Sequence, residues 1–213
     1  MPLDTNLSVD KFLPAMARPA NADADATRRH ILTAATAAFG QHGLDGCTVR
    51  EIATAAGVTF AAVHHYFGTK DELYATCLDQ AFAELSAIGA EIAGVVARSK
   101  CPVQDAVRHA FRAARAKPDR SRFLLRAFVY ESSPIAQDRV RKAQRMLLGS
   151  ATELLAPRDY GKRIPLVGIG ILITRFAVAP KSELSLFAEE TGDANAAIEA
   201  YLVDVATHTL EAA

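Results

Sequence analysis

Apolar residues recur at helical spacing along most of the chain. From residue 27 to 43 they fall three or four positions apart, which is the spacing of one face of an α-helix, and Gly43 stands where such a helix ends. The members of this first stripe are Ile31, Leu32, Ala35, Ala38 and Phe39. Alanine is abundant and alternating β-branched residues are scarce, so the pattern predicts an all-α protein.

Two short segments and one long segment follow, and their ends carry helix signals. Thr48 with Glu51, and Thr69 with Glu72, have the spacing of a capping box, in which hydroxyl and carboxylate satisfy backbone N–H groups. Gly57 ends the first short segment in a turn that favours a residue without Cβ. Helices of about seven or eight residues are unstable alone in water. These two must therefore pack on each other and on the first helix, which is the helix-turn-helix layout.

The rest of the chain predicts a larger helical region. A long amphipathic helix opens at Thr69, and further segments lie at residues 101–115, 121–133, 137–155, 164–178 and 194–210. We therefore expect about nine helices in three parts. The parts are a loosely ordered N-terminal arm over residues 1–26, a helix-turn-helix domain over 27–72 and a helical domain over 73–213.

Composition limits the class of protein without naming a function. The formal net charge is zero, so overall charge argues neither for nor against nucleic acid. The most apolar run, residues 164–174, is far shorter than the roughly 20 residues that span a bilayer, so we predict a soluble protein that does not cross a membrane. Cys47, Cys77 and Cys101 form no motif and follow no signal peptide, which favours free thiols in a reducing cytoplasm.

The stretch GVTFAAVHHYFGTK, residues 57–70, puts histidines and aromatic residues on the second short helix. Val63 and Phe67 are four positions apart and are expected to face the core. The outward set is then Phe60, Ala61, His64 and His65. Adjacent histidines lie about 100° apart on a helix, whereas paired zinc ligands favour i, i+4 spacing, so no metal site is predicted. An exposed imidazole can instead hydrogen-bond to base edges or phosphate; for Tyr66, packing and a phosphate contact both stay open.

Residues 28–78, RRHILTAATAAFGQHGLDGCTVREIATAAGVTFAAVHHYFGTKDELYATCL, resemble the DNA-binding region of tetracycline-repressor-like (TetR-family) transcriptional regulators. The likeness rests on the order and spacing of several elements: the Ile-Leu, Ala-Ala and Phe helix, the Thr-Val-x-x-Ile-Ala-x-x-Ala-Gly-Val block, the Tyr-Phe pair, and Lys followed by Leu. Two positions depart from the pattern. Ala61 stands where the family often has Gly, and His64 stands where Tyr is frequent, so the operator sequence is left open.

The resemblance implies a homodimer whose second short helix enters the major groove of operator DNA. It also implies that the C-terminal domain binds a small effector and forms the dimer. It places Thr48, Arg50 and Lys70 on DNA phosphates. The implied recognition helix begins at Thr59, Phe60 and Ala61 and continues through His64, His65 and Tyr66.

We therefore predict an effector-responsive, sequence-specific transcriptional regulator, taken as a repressor that a small molecule releases from a near-palindromic operator. The alternative is a small-molecule-binding or scaffold protein that keeps the helix-turn-helix only as structure. Residues 27–74 carry four Lys or Arg and four acids. Because this region has no net positive charge to attract DNA, its charge does not exclude the scaffold alternative. An enzyme is disfavoured because no nucleophile–base pair, glycine-rich phosphate loop or metal-ligand spacing stands out, and no cofactor is predicted.

Charge is uneven in the C-terminal half. Residues 108–126 carry seven bases and one acid, while residues 182–213 carry seven acids and no Lys or Arg. We expect a solvated basic face that contacts the acidic C-terminus. The alternative is an anionic effector pocket, for which Phe123, Arg126 and Tyr130 are the candidates. The segment 164–178 is apolar nearly all round and needs cover on several sides, so it and the segment 194–210 are the predicted dimer interface.

Overall fold

The computed structural model describes residues 20–130, 133–155, 163–188 and 192–211, and within these ranges it contains helices and no β-strand. The all-α prediction is confirmed. The helices are α1 (Ala20–His42), α2 (Val49–Ala56), α3 (Phe60–Phe67), α4 (Lys70–Val96), α5 (Pro102–Ala116), α6 (Pro118–Tyr130), α7 (Pro134–Leu155), α8 (Arg163–Ala177), α9 (Lys181–Ala188) and α10 (Ala194–Glu211).

Four details differ from the sequence prediction, one of which is that α7 begins at Pro134 rather than Gln137. The described ranges contain ten helices rather than nine, because the eight-residue α9 forms where no long apolar stripe predicts it. α1 begins at Ala20 rather than Thr27, so the predicted arm is wrong for residues 20–26; residues 1–19 lie outside the described ranges. Alanine propensity and an acid in the first turn, Asp23, stabilise these turns without a buried stripe. α6 begins at Pro118 rather than Ser121, because proline is tolerated in a first helical turn.

Helices α1 to α4 pack around one apolar core. Its most buried members include Ile31, Phe39, Ile52, Val63 and Leu78. Both predicted capping boxes are present, at the N-termini of α2 and α4. The turn between α2 and α3 is made by Gly57 at φ 68°, whose N–H reaches the last carbonyls of α2. The two short helices are therefore held by caps at their ends and by the shared core along their length.

The N-terminal helices are packed directly against the rest of the molecule. α4 is 27 residues long and crosses the predicted domain border between residues 72 and 73. The first core continues into α6 and α7 through Phe123, Ala127 and Val140. A second core joins α5, α8, α9 and α10, with Phe111 and Leu202 among its buried members. Among the described helices, none combines the length and the hydropathy needed to cross a membrane.

Candidate nucleic-acid interface and internal cavity

The inner face of α3 anchors the helix to the core. Val63 is 1% exposed and Phe67 is 7% exposed, as their spacing predicts. At the N-terminus of α3, Oγ1 of Thr59 accepts a hydrogen bond from the backbone N–H of Ala62 at 3.1 Å. Because both the cap and the apolar face are satisfied within the protein, the opposite face of α3 is left for a partner.

That opposite face carries an ordered group of side chains. Phe60, Ala61, His64 and His65 are all exposed, and Tyr66 is half-buried against the core. The rings of Phe60 and His64 are 4.5 Å apart at an angle of 66°, and Cζ of Arg50 lies 5.7 Å from the centre of the Phe60 ring. A cation over an aromatic ring is attracted to it, so α2 and α3 present one continuous surface.

Carboxylates stand at the N-termini of α2 and α4. Oε2 of Glu51 accepts from the backbone N–H of Thr48 at 2.7 Å, and Oε2 of Glu72 does the same for Thr69 at 2.7 Å. Hydrogen bonds from the threonine backbone and then from its hydroxyl lower the pKa of both carboxyls. The first turn of α3 contains no acid. Of these three N-termini, that of α3 is therefore the one where a phosphate would meet no carboxylate.

Lys70 makes a contact that the sequence did not reveal. Its Nζ donates to the carbonyl oxygen of Cys47 at 3.4 Å, which ties the first turn of α4 to the residue before the α2 cap. A cation in a first helical turn opposes the helix dipole, and this carbonyl partly offsets the conflict. Thr48 and Arg50 are exposed close by in sequence, so the predicted phosphate contacts are accessible.

A cavity of about 1100 Å³ lies among α4, α5, α6, α7 and α8. Its walls are mainly apolar side chains, such as Ile88, Val107 and Leu124. Its charged lining residues are Arg120, Arg141, Arg145 and Glu153. The volume slightly exceeds the range of about 300–1,000 Å³ that is typical of ligand pockets.

Arg120 is the buried charge of this cavity. It is 9% exposed, its Nη1 donates to Oε2 of Glu84 at 3.2 Å, and its Nη2 donates to the carbonyl of Ala113 at 2.9 Å. Its Nε is buried and has no hydrogen-bond partner among the described residues. Burial raises the pKa of Glu84, but hydrogen bonds from Lys117, Gln80 and Arg120 outweigh it and leave the pKa below its usual value. The carboxylate that holds Arg120 is therefore ionised at neutral pH.

The three residues predicted for the effector pocket do not line this cavity. Phe123 is fully buried in the first core, where its ring lies 5.3 Å from that of Tyr74. Arg126 turns to the end of α1 and donates from Nη2 to the carbonyl of His42 at 3.3 Å. Tyr130 is 73% exposed. They lie elsewhere because α6 has apolar residues on several faces, and the stripe at positions 120, 121, 124, 125 and 128 is the one that meets the cavity.

Ion pairs connect the basic segment to the last helix, as expected. Nε and Nη2 of Arg112 each donate to the Glu199 carboxylate at 2.8 Å, and Nη1 of Arg115 reaches the carbonyls of Ala177 and Ala179. The basic face of α5 thus contacts the acidic C-terminal helix.

Apolar side chains remain exposed on α8 and α10. Ile164 is 83% exposed, Val167 48% and Ile171 43%, all on α8, and Tyr201 of α10 is 51% exposed. The Tyr201 ring lies 6.1 Å from that of Phe176, so α8 and α10 are in contact there, whereas Val167 and Ile171 line the cavity. Ile164 and Tyr201 lie outside the cavity lining, and large apolar side chains exposed in this way are candidates for a protein interface.

Comparison with known proteins agrees with this architecture. Residues 31–77 match the family model of bacterial regulatory proteins, tetR family. The HTH-type transcriptional dual regulator CecR of Shigella flexneri is 44% identical over 50 residues, which cover 24% of this chain and 22% of that protein. The HTH-type transcriptional regulator BetI of Brucella anthropi is 37% identical over 75 residues, 35% of this chain and 37% of that protein. The chain thus matches between about a fifth and two fifths of the length of these relatives.

Solved structures extend the likeness of fold over most of the chain. The fatty acid degradation regulator FadR from Bacillus halodurans superposes with a TM-score of 0.61 at 16% identity, covering 86% of this chain and 97% of that one. A TetR-like transcriptional regulator from Rhodococcus sp. RHA1 gives a TM-score of 0.62 at 15% identity, covering 88% and 97%. The matched segment has the helix-turn-helix layout of bacterial regulatory proteins, and the fold as a whole is that of these solved structures. Residues 31–77 thus resemble the tetR family in sequence, which confirms for this segment the resemblance stated from the sequence, and the solved structures extend the likeness of fold beyond it.

Proposed function

We propose that this chain is an effector-responsive, sequence-specific transcriptional regulator that acts as a homodimer and represses from a near-palindromic operator. One observation carries the proposal: α3 is capped and buried on its inner face while its outer face presents Phe60, Ala61, His64 and His65. A short helix exposed in this way, after a tight turn from α2, matches the docking geometry of a recognition helix in the major groove.

The side chains divide into two roles. Phe60 and Ala61 offer apolar contact to a thymine methyl, and His64 and His65 offer ring nitrogens to base edges. Thr48, Arg50, Thr59, Tyr66 and Lys70 surround this group and are assigned to phosphate contacts. Phosphate contacts position the protein and base contacts specify the sequence, so substitutions in the two sets should have different effects.

α6 joins the DNA-binding helices to the cavity. On one side it carries Arg120 and Leu124 in the cavity wall, and on the other it meets α1 closely. A Cβ added at Gly40 of α1 would lie 3.1 Å from the backbone nitrogen of Phe123 and 3.2 Å from the carbonyl oxygen of Asp119. An occupant of the cavity that shifts α6 must therefore shift α1. A coupling of about 1–3 kcal/mol would change operator affinity roughly 5- to 150-fold.

The dimer is assigned to α8 and α10. Two copies would cover the exposed apolar side chains of Ile164 and Tyr201, which lie outside the cavity lining. A dimer with a two-fold axis there would present one α3 helix from each subunit. These two helices must reach major grooves about 34–36 Å apart or a multiple of that spacing. An effector that favours a different spacing would lower operator affinity.

The proposal is tested by selecting bound duplexes from a random DNA pool and then measuring affinities by mobility shift. We expect a near-palindromic site whose affinity falls steeply with salt, by about 0.9 log units per log unit of salt for each phosphate neutralised. His64→Ala should lower affinity for the selected site much more than for random duplex. His109→Ala is the matched control, because that imidazole lies on α5 and pairs with Glu91. Binding of every duplex with equal affinity would refute the proposal.

A further inference from the structure

We propose that the effector is an anionic amphiphile, with an apolar body that fills the cavity and one acidic head group that accepts a hydrogen bond from Nε of Arg120. This inference rests on the proposed function, because it names the chemistry of the molecule to which the regulator responds. Three observations support it: the apolar lining of the cavity, the unused donor of Arg120 and the charge of the lining residues.

The apolar lining requires an apolar body. Side chains of α4, α5, α6 and α8 supply most of the wall, including Leu85, Ile92, Val107 and Ile173. Burying apolar surface against such a wall is favourable, whereas a strongly polar molecule would lose its hydration without finding partners. A cavity of about 1100 Å³ has room for a chain of ten carbons or more.

Arg120 supplies one fixed donor in that apolar wall. Its two terminal nitrogens are occupied by Glu84 and by the Ala113 carbonyl, so the guanidinium is held in place. The remaining donor, Nε, is buried without a protein partner among the described residues. Buried donors are nearly always paired in native proteins, and a ligand acceptor in the cavity that Arg120 lines would complete the set. The neighbouring hydroxyl of Ser121 is already engaged with the Ala114 carbonyl.

The charges of the lining residues select the sign of the head group. Arg120, Arg141 and Arg145 line the cavity against the single acid Glu153. Glu84 is shared between Lys117 and Arg120, so these three groups together carry one positive charge. The site therefore has an excess of positive charge, which favours an anion and disfavours a cation of the same shape.

The test compares three ligands that share a ten-carbon chain. Decanoate, decan-1-ol and decyltrimethylammonium are titrated calorimetrically into the full-length protein, each below its aggregation concentration. We expect decanoate to bind about tenfold or more tightly than decan-1-ol, because hydrogen bonds to charged groups are the stronger ones, and the cation to bind most weakly. If decan-1-ol or the cation bound as tightly as decanoate, the assignment of an anionic effector would be wrong.

Two pairs of variants locate the site. Arg120→Gln should remove the advantage of decanoate over decan-1-ol, whereas Arg122→Gln, on the same helix but outside the lining, should keep it. Gly89 and Gly94 both lie on α4, and only Gly89 lines the cavity, where an added Cβ would meet nothing within 4 Å. Gly89→Leu should fill the space and weaken all three ligands without loss of thermal stability, while Gly94→Leu should leave binding unchanged.

These variants keep the test decisive if Arg120→Gln fails to fold, because the ligand series and Gly89→Leu do not depend on it. Unchanged decanoate binding by Gly89→Leu would show that the cavity is not the site. A protein that binds its selected operator but shows no decanoate binding would refute the effector class and leave the regulator intact. A protein that binds decanoate at Arg120 but selects no DNA sequence would refute the regulator and leave the ligand site intact.

Discussion

Phe123 gives the sharpest test of how α6 is oriented. The sequence offered it as a pocket residue, but its side chain is fully buried between α1 and α4, with ring centres 6.4 Å from Phe39 and 5.3 Å from Tyr74. Replacing a buried Phe by Ala costs about 3–5 kcal/mol. For a chain of this size, 1 kcal/mol corresponds to roughly 2–4 °C in melting temperature. Phe123→Ala should therefore melt about 6–20 °C lower than the parent.

The assay is thermal unfolding by circular dichroism, combined with decanoate titration of the folded protein below the melting range. Both proteins are measured at the same concentration, because dimerisation makes the melting temperature concentration-dependent. Leu125→Ala is the matched control: Leu125 lies two positions away on α6, is half-buried and lines the cavity. We expect Phe123→Ala to lose stability and keep its ligand affinity, and Leu125→Ala to weaken the ligand with a smaller loss of stability. The reverse pattern would show that α6 turns its Phe123 face to the ligand.

Four further outcomes are expected. Lys70→Gln should lower operator affinity and reduce the salt slope by about 0.9 for each phosphate that the lysine reaches, as measured by mobility shift at several salt concentrations. Ile164→Glu should place a charge on an exposed apolar part of α8 outside the cavity and yield a monomer by light scattering; a stable dimer would contradict the assignment of the interface to α8. Gly43→Ala should lower the urea midpoint, because the position has φ 79° and its Cβ would lie 2.6 Å from a guanidinium nitrogen of α6. The stability that Glu51 and Glu72 contribute through their lowered pKa is present above their ordinary pKa of 4.5 and is lost as pH falls through the folded value, so exchanging both for Gln should flatten the acid side of a stability–pH curve.

Local signals in the sequence were sufficient for the N-terminal helices. The capping boxes join residues three positions apart, and the apolar stripe of α3 joins residues four positions apart, so neither depends on distant parts of the chain. The inward placement of Val63 and Phe67 and the outward placement of His64 and His65 follow from the same spacing. The roles of the exposed side chains on DNA stay predictions.

The sequence was insufficient for two helical segments that carry no periodic apolar stripe, namely the first turns of α1 and the whole of α9. The first turns of α1 are stabilised by propensity rather than by a stripe, and α9 is too short for a periodic pattern to show. The hydrophobic pattern that predicted the other helices therefore indicated neither the first turns of α1 nor α9.

By itself the sequence determined nine of the ten described helices, the capping boxes of α2 and α4 and the exposed face of α3, because each depends on residues close together in sequence. Only the tertiary structure decided which face of α6 meets the cavity, since Phe123, Leu124 and Phe128 are apolar alike and differ only in what packs against them. It also decided that Arg120 would be buried beside Glu84, a contact between residues 36 positions apart that no local pattern predicts. Spacing along a helix shows which residues share a face, but the neighbour of that face is set by how the whole chain packs.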